Sequence, residues 1–107
     1  MTRQLVFRPK LEEQLTQAVR FYEAQSAEAT ARFARAIRDV LTILEESPRL
    51  YALQFKNVRR INIPGFPYAL WFEIVAETEA STQQTTEFIV LLGLFHQRQN
   101  ITALSFE

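Results

Sequence analysis

The segment Glu87–Phe95, EFIVLLGLF, constrains the fold of this chain more than any other, because as a strand it is apolar on both faces. Alternate positions read Glu87, Ile89, Leu91, Gly93 and Phe95 on one side and Phe88, Val90, Leu92 and Leu94 on the other. The preceding strand segment, Tyr68–Ala76, sets Tyr68, Leu70, Phe72 and Ile74 against Ala69, Trp71, Glu73 and Val75. An antiparallel sheet with one wet face would alternate apolar and polar residues cleanly. Both faces of this sheet therefore need cover.

One cover is legible upstream. Gln4–Arg8 reads as a short strand, ended by Pro9, and proline is tolerated at the first position of a helix because its missing N–H would have no partner there. Leu11, Leu15, Ala18, Val19 and Tyr22 then recur at spacings of three and four, the stripe of a helix of about fourteen residues. Ser26 is placed to cap a second helix, along which Ala29, Phe33, Ile37, Val40, Leu41 and Leu44 trace a stripe ending at Glu46. Ser47-Pro48 stops it, since the residue before proline leaves the α region. The link between the helices is so short that they form an antiparallel hairpin, with Arg32, Arg35 and Asp39 turned away from the stripe.

Downstream, Val58–Ile63 alternates in part, Pro64-Gly65-Phe66-Pro67 is a turn, and the polar run ETEASTQQT separates the two apolar strands. The order predicts an α+β fold: a strand, an antiparallel helix hairpin, then a three-stranded antiparallel meander forming one small sheet. At 107 residues the chain is one domain, spanning 1–107, and buries about two-thirds of its extended surface. From Gln97 to Glu107 no pattern is clear.

A single hairpin covers only one side of such a sheet. The other side needs the tail carrying Ile101, Leu104 and Phe106, a second copy of the chain, or a different protein. An apolar patch of that size on a monomer marks an interaction surface. Large aromatic and arginine anchors dominate binding at such surfaces, so Arg60, Trp71, Phe72 and Phe95, with Ile101, Leu104 and Phe106, are the expected partner-binding residues.

Little in the sequence promises cofactor chemistry. There is no cysteine, hence no disulfide or thiolate site, and two glycines are too few for a phosphate loop or dinucleotide fingerprint. One histidine among scattered acids has no metal-ligand spacing, so neither a cofactor nor a metal is expected. Twelve basic and twelve acidic residues cancel, which argues against binding nucleic acid through the whole surface. The first residues, MTRQLVFRPK, lack the apolar run of a leader, no apolar stretch reaches the length of a membrane span, and a cytoplasmic protein is expected. His96, in FHQRQN after the last strand, sits where a rigid element meets solvent, and Arg59, Arg60, Arg98 and Lys56 are expected to form a local basic cluster.

These pieces together resemble the RelE/ParE superfamily of type II toxins: Phe7-Arg8-Pro9 before a helix, Phe21-Tyr22-Glu23, Ser47-Pro48, Val58-Arg59-Arg60, Phe66-Pro67-Tyr68 opening a strand, and His96-x-Arg98 after the last one. The resemblance implies the fold deduced above and a cognate antitoxin whose disordered segment wraps the toxin. It also implies one of two activities: cutting mRNA on the ribosome, as RelE-like members do, or poisoning DNA gyrase, as ParE-like plasmid-stabilisation proteins do. RNA-cutting members often carry arginine just after the strand-opening tyrosine and an aromatic hydroxyl near the C-terminus. Here the first position is Ala69, and no tyrosine follows Tyr68. A ribonuclease would have to rely on Arg59, His96 and Arg98 as its catalytic set. The resemblance thus favours a gyrase-binding toxin over an enzyme, with a harmless antitoxin-binding relative as a further alternative. Assembly as a homodimer, or as a hetero-oligomer with the antitoxin, is compatible with it.

Overall fold

The computed structural model describes residues 2–98. Strand β1, Thr2–Phe7, leads into helix α1, Pro9–Glu23, and helix α2, Ala27–Glu46. A 3-10 turn over Pro48–Leu50 follows, and then β2, Leu53–Phe55, β3, Val58–Asn62, β4, Tyr68–Thr78, and β5, Thr85–His96. The expected α+β order holds, and the expected helix boundaries hold with it. Pro9 opens α1, and the Ser26 hydroxyl accepts a hydrogen bond from the Ala29 N–H at 3.0 Å to cap α2. No helix of the described residues is long and apolar enough to cross a membrane.

Among the described residues the sheet has five strands, in the order β1-β5-β4-β3-β2. β2 to β5 form an antiparallel meander of four strands rather than the three expected, and β1 lies parallel to β5. The additional strand, β2, is three residues long and too short to show a period. Its turn is also unmarked, since Lys56 takes the left-handed conformation at φ 48° that short hairpins usually assign to glycine or asparagine. The β4–β5 hairpin is longer than its apolar core. Thr78 pairs with Thr85, their hydroxyls 2.9 Å apart, so both ends of the expected loop belong to strands.

Between the helix hairpin and the sheet lies the main core. Leu11, Ala18 and Tyr22 of α1 and Ala29, Phe33, Val40 and Leu44 of α2 meet Ile61, Leu70, Phe72, Ile89 and Leu91 of the sheet. At one end the core is aromatic: Tyr22, Phe33, Phe66 and Tyr68 stand with ring centroids 5.0–6.0 Å apart, and three of these four pairs meet edge to face. Phe66 reaches in from the Pro64–Pro67 turn.

The other face carries a second cluster of Val58, Ala69, Trp71, Val90, Leu92 and Phe95, flanked by Val6, Phe55 and Phe88. All six cluster residues are at most 8% exposed within the single chain. These six side chains are therefore shielded without a second copy or a different protein, two of the three covers expected for this face.

A bulge decides which residues reach which face. Trp71 pairs with Gly93 but Phe72 pairs with Leu91, so Leu92 is an extra residue in β5. Beyond it the alternation inverts: Leu94 joins the helix-side core and Phe95 the opposite cluster, the reverse of unbroken alternation. Gly93 allows this arrangement, because a Cβ there would stand 2.6 Å from a Phe95 ring carbon. The Leu94 N–H donates to Gln14 Oε1 at 2.7 Å, which ties the bulge to α1.

Candidate functional site

The residues expected to act together divide between the two ends of the sheet. His96 closes β5 opposite Tyr68 and is exposed. Its Nδ1 accepts the Arg98 N–H at 3.1 Å, so in the neutral ring the hydrogen belongs on Nε2. Next to it, Gln97 secures the Pro64–Pro67 turn: its N–H donates to the Pro67 carbonyl at 2.9 Å, and its side-chain amide reaches the carbonyls of Phe66 and Tyr68, each at 3.3 Å. A shallow hollow beside His96 is lined by Gln14, Gln17, Phe21 and Tyr68.

Arg59 is elsewhere. It pairs with Phe72, four residues along β4 from Tyr68, which is about 13 Å at the rise of a strand. Half-buried on the helix side, it donates to the Tyr51 carbonyl at 2.6 Å. Arg60 points to the opposite face, with its guanidinium 5.5 Å from the centre of the Trp71 ring. Lys56 lies in the β2–β3 turn, at the far end of β3 from the His96 corner. The expected basic cluster and the expected catalytic trio are therefore not assembled.

Among the expected partner-binding residues, Trp71 and Phe95 lie in the second-face cluster, each 5% exposed. Lys10 places its ammonium 5.2 Å over the Phe95 ring. Phe72 lies on the other side, fully buried beneath the helix hairpin, and is a core residue, not a surface anchor. Its place in the Leu70-Phe72-Ile74 row already implied this. Ile101, Leu104 and Phe106 lie outside the described residues.

Two features escaped the sequence reading. The first is Glu87, which is buried between Arg3 of β1 and Arg49 of the 3-10 turn. Arg3 Nε donates to Glu87 Oε1 at 2.9 Å, and Arg49 donates to Oε2. A second Arg3 nitrogen donates to the carbonyls of Glu45 and Glu46 at 3.0 and 2.8 Å, fastening the end of α2 to the sheet. The Arg49 hydrogen bond first, and the Arg3 bond second, hold the Glu87 carboxyl at about 2, far below its ordinary value of 4.5. The partners lie 38 and 84 positions from Glu87, so no local pattern signals them.

The second is a groove beside α2. Arg32, Arg35, Ala36 and Asp39 of α2 face Pro64, Gly65 and Phe66 across a hollow of about 510 Å³. A further hollow, sharing Pro64, continues past Val40 and Ile43 to Tyr51, Gln54 and Arg60. Positions 32, 35, 36, 39, 40 and 43 make one helical stripe, the only sequence signal this groove had, and its charged part reads equally as a solvated face. Among the described residues no three histidine, aspartate or glutamate side chains gather to hold a metal.

No curated protein matches the chain. The family described as the ParE toxin of the type II toxin-antitoxin system parDE matches residues 5–101, from within β1 to beyond the end of β5. With that span taking in both helices and the whole meander, this chain belongs to the ParE toxin family.

Proposed function

We propose that the chain is a toxin that acts by binding a protein, DNA gyrase, in the cytoplasm, and that a cognate antitoxin holds it inactive. One observation carries the choice of a binding toxin over a ribonuclease: Arg59 stands about 13 Å along the sheet from the strand pair that holds His96. Cleaving a phosphodiester needs an acid, a base and charge-stabilising donors converging on one phosphate, and such groups lose their effect when displaced by an ångström or so. Ala69, where an RNA-cutting relative often carries arginine, is completely buried against the second-face cluster.

The test is to add the purified toxin to gyrase supercoiling and to cell-free translation in parallel. Loss of supercoiling with translation intact is the expected result. Translation arrest with gyrase unaffected would overturn it, and His96→Ala would then be expected to relieve that arrest.

A further inference from the structure

Exposure on the second face of the sheet follows a gradient. Along β4, Ala69 is 0% and Trp71 5% exposed, whereas Val75, on the same face toward the far hairpin, is 38% exposed. Along β5, Phe95, Leu92 and Val90 are buried, and Phe88, farthest from the His96 end, is half-buried. Side chains stand roughly perpendicular to a sheet, so neighbours in the same layer flank them and only a second layer closes over their tips. Among the described residues no second layer lies on this side: the cluster and the residues packed against it all come from strands, and the buried residues of α1 and α2 belong to the opposite core. Lys10 and Arg60 each meet one ring here, Phe95 and Trp71. Neither accounts for the burial of Ala69, Val90 and Leu92.

We propose that the cover is the chain's own C-terminal segment, residues 99–107, folded back as a strap across β5, β4 and β3 with Ile101, Leu104 and Phe106 seated on Trp71, Leu92 and Phe95. Three observations support this occupant over a second copy or a different protein. The cluster is already closed within a single chain. The chain leaves β5 at the end where burial is deepest, with Phe95 on this face and Gln97 fastened to the Pro67 carbonyl at 2.9 Å. The segment also has the reach and the chemistry. Nine extended residues span about 30 Å, against about 10 Å from β5 across to β3 and about 17 Å along the strand from Phe95 to Val90. Its one ionisable side chain, Glu107, stands at the very end. Val75, beyond the covered area, shows how this face meets solvent where no strap reaches it. The strap seals the second face whatever the toxin's target, so a toxin released from its partner does not present Trp71 and Phe95 to solvent, and partners engage other surfaces.

The experiment uses the full chain, whose only tryptophan, Trp71, lies on this face, and whose lack of cysteine allows a single thiol to be introduced for labelling. In the unaltered chain Trp71 is expected to emit in the blue and to resist acrylamide, equally at every protein concentration. Replacing Ile101, Leu104 and Phe106 together by serine is expected to shift that emission to the red and to raise quenching several-fold. A nitroxide on Glu107→Cys is expected to remove most of the Trp71 emission, whereas the same label on Arg20→Cys, exposed on α1, leaves it unchanged. Should the serine variant fail to fold, which circular dichroism reports, the labelled full chain decides alone. A folded serine variant with Trp71 still shielded overturns the proposal, because the rim residues then suffice. Shielding or nitroxide quenching that disappears on dilution overturns it in favour of a second copy. A monomeric full chain with Trp71 open to acrylamide, or untouched by the Glu107→Cys label, overturns it as well. None of these outcomes bears on the choice between gyrase and the ribosome.

Discussion

The two ends of the sheet are held by different physics. At the Tyr68–His96 end, rings from both helices and the Pro64–Pro67 turn interlock, and their stabilisation comes from buried area and edge-to-face contacts. At the Glu87 end, one buried carboxylate joins β1, β5, the 3-10 turn and, through Arg3, the last carbonyls of α2. α2 spans both, with Phe33 among the rings and Glu46 at the ionic tie. The aromatic end should be indifferent to pH and salt, whereas the ionic end depends on one ionisation state.

The largest effect is expected from Phe33→Ala, which removes a ring with no solvent exposure from the centre of the aromatic end. A loss of about 3–5 kcal/mol is expected in urea unfolding, the same at neutral pH and at pH 3. A loss that varied with pH would show the two ends to be coupled. Glu87→Gln is expected to cost about 1–3 kcal/mol at neutral pH, since two arginines lose their counter-charge but remain partly solvated.

Its pH signature is more telling than its size. A carboxyl held at about 2 in the folded chain and near 4.5 unfolded adds stability that is complete above 4.5 and drains away as the pH falls toward 2. Unfolding curves of the unaltered chain and of Glu87→Gln should therefore converge across that window, and parallel curves would remove Glu87 from this role. Gln14→Ala should cost about 1–2 kcal/mol, by leaving the Leu94 N–H of the bulge unpaired in a buried place. Ser26→Ala is the smallest test, about 1 kcal/mol from the lost cap, and belongs to the aromatic end because Ser26 follows Tyr22 by one helical turn.

Those ends also differ in how well the sequence reveals them. Helix stripes, the Ser26 cap and the Pro9 and Pro48 boundaries depend on neighbours within a turn or two, so Tyr22, Phe33 and the hairpin were legible from spacing alone. Glu87 looked like one polar residue at the start of an apolar strand because its partners come from the far ends of the chain's first half. The bulge at Leu92 was hidden because every neighbour is apolar, so a shift of one residue leaves the pattern equally plausible while exchanging the faces of Leu94 and Phe95. The candidate site suffered most: Arg59, His96 and Arg98 look close in a list of conspicuous residues, yet strand register sets Arg59 apart. The arginines of the α2 groove were read as facing water, which is correct for the lone chain.

The parallel pairing of β1 with β5 bears on the timing of synthesis. Among the described residues Thr2 to Phe7 find their sheet neighbours only in Thr86 to Leu91, so a nascent chain emerging from the ribosome holds strand β1 idle until more than eighty further residues have been added. Contacts of such long separation close late and slowly. A truncated translation product ending before Thr85 would therefore leave β1 and β4 each with a raw edge and no central strand to bridge them, and such fragments are expected to be cleared by proteases instead of accumulating as partial toxin.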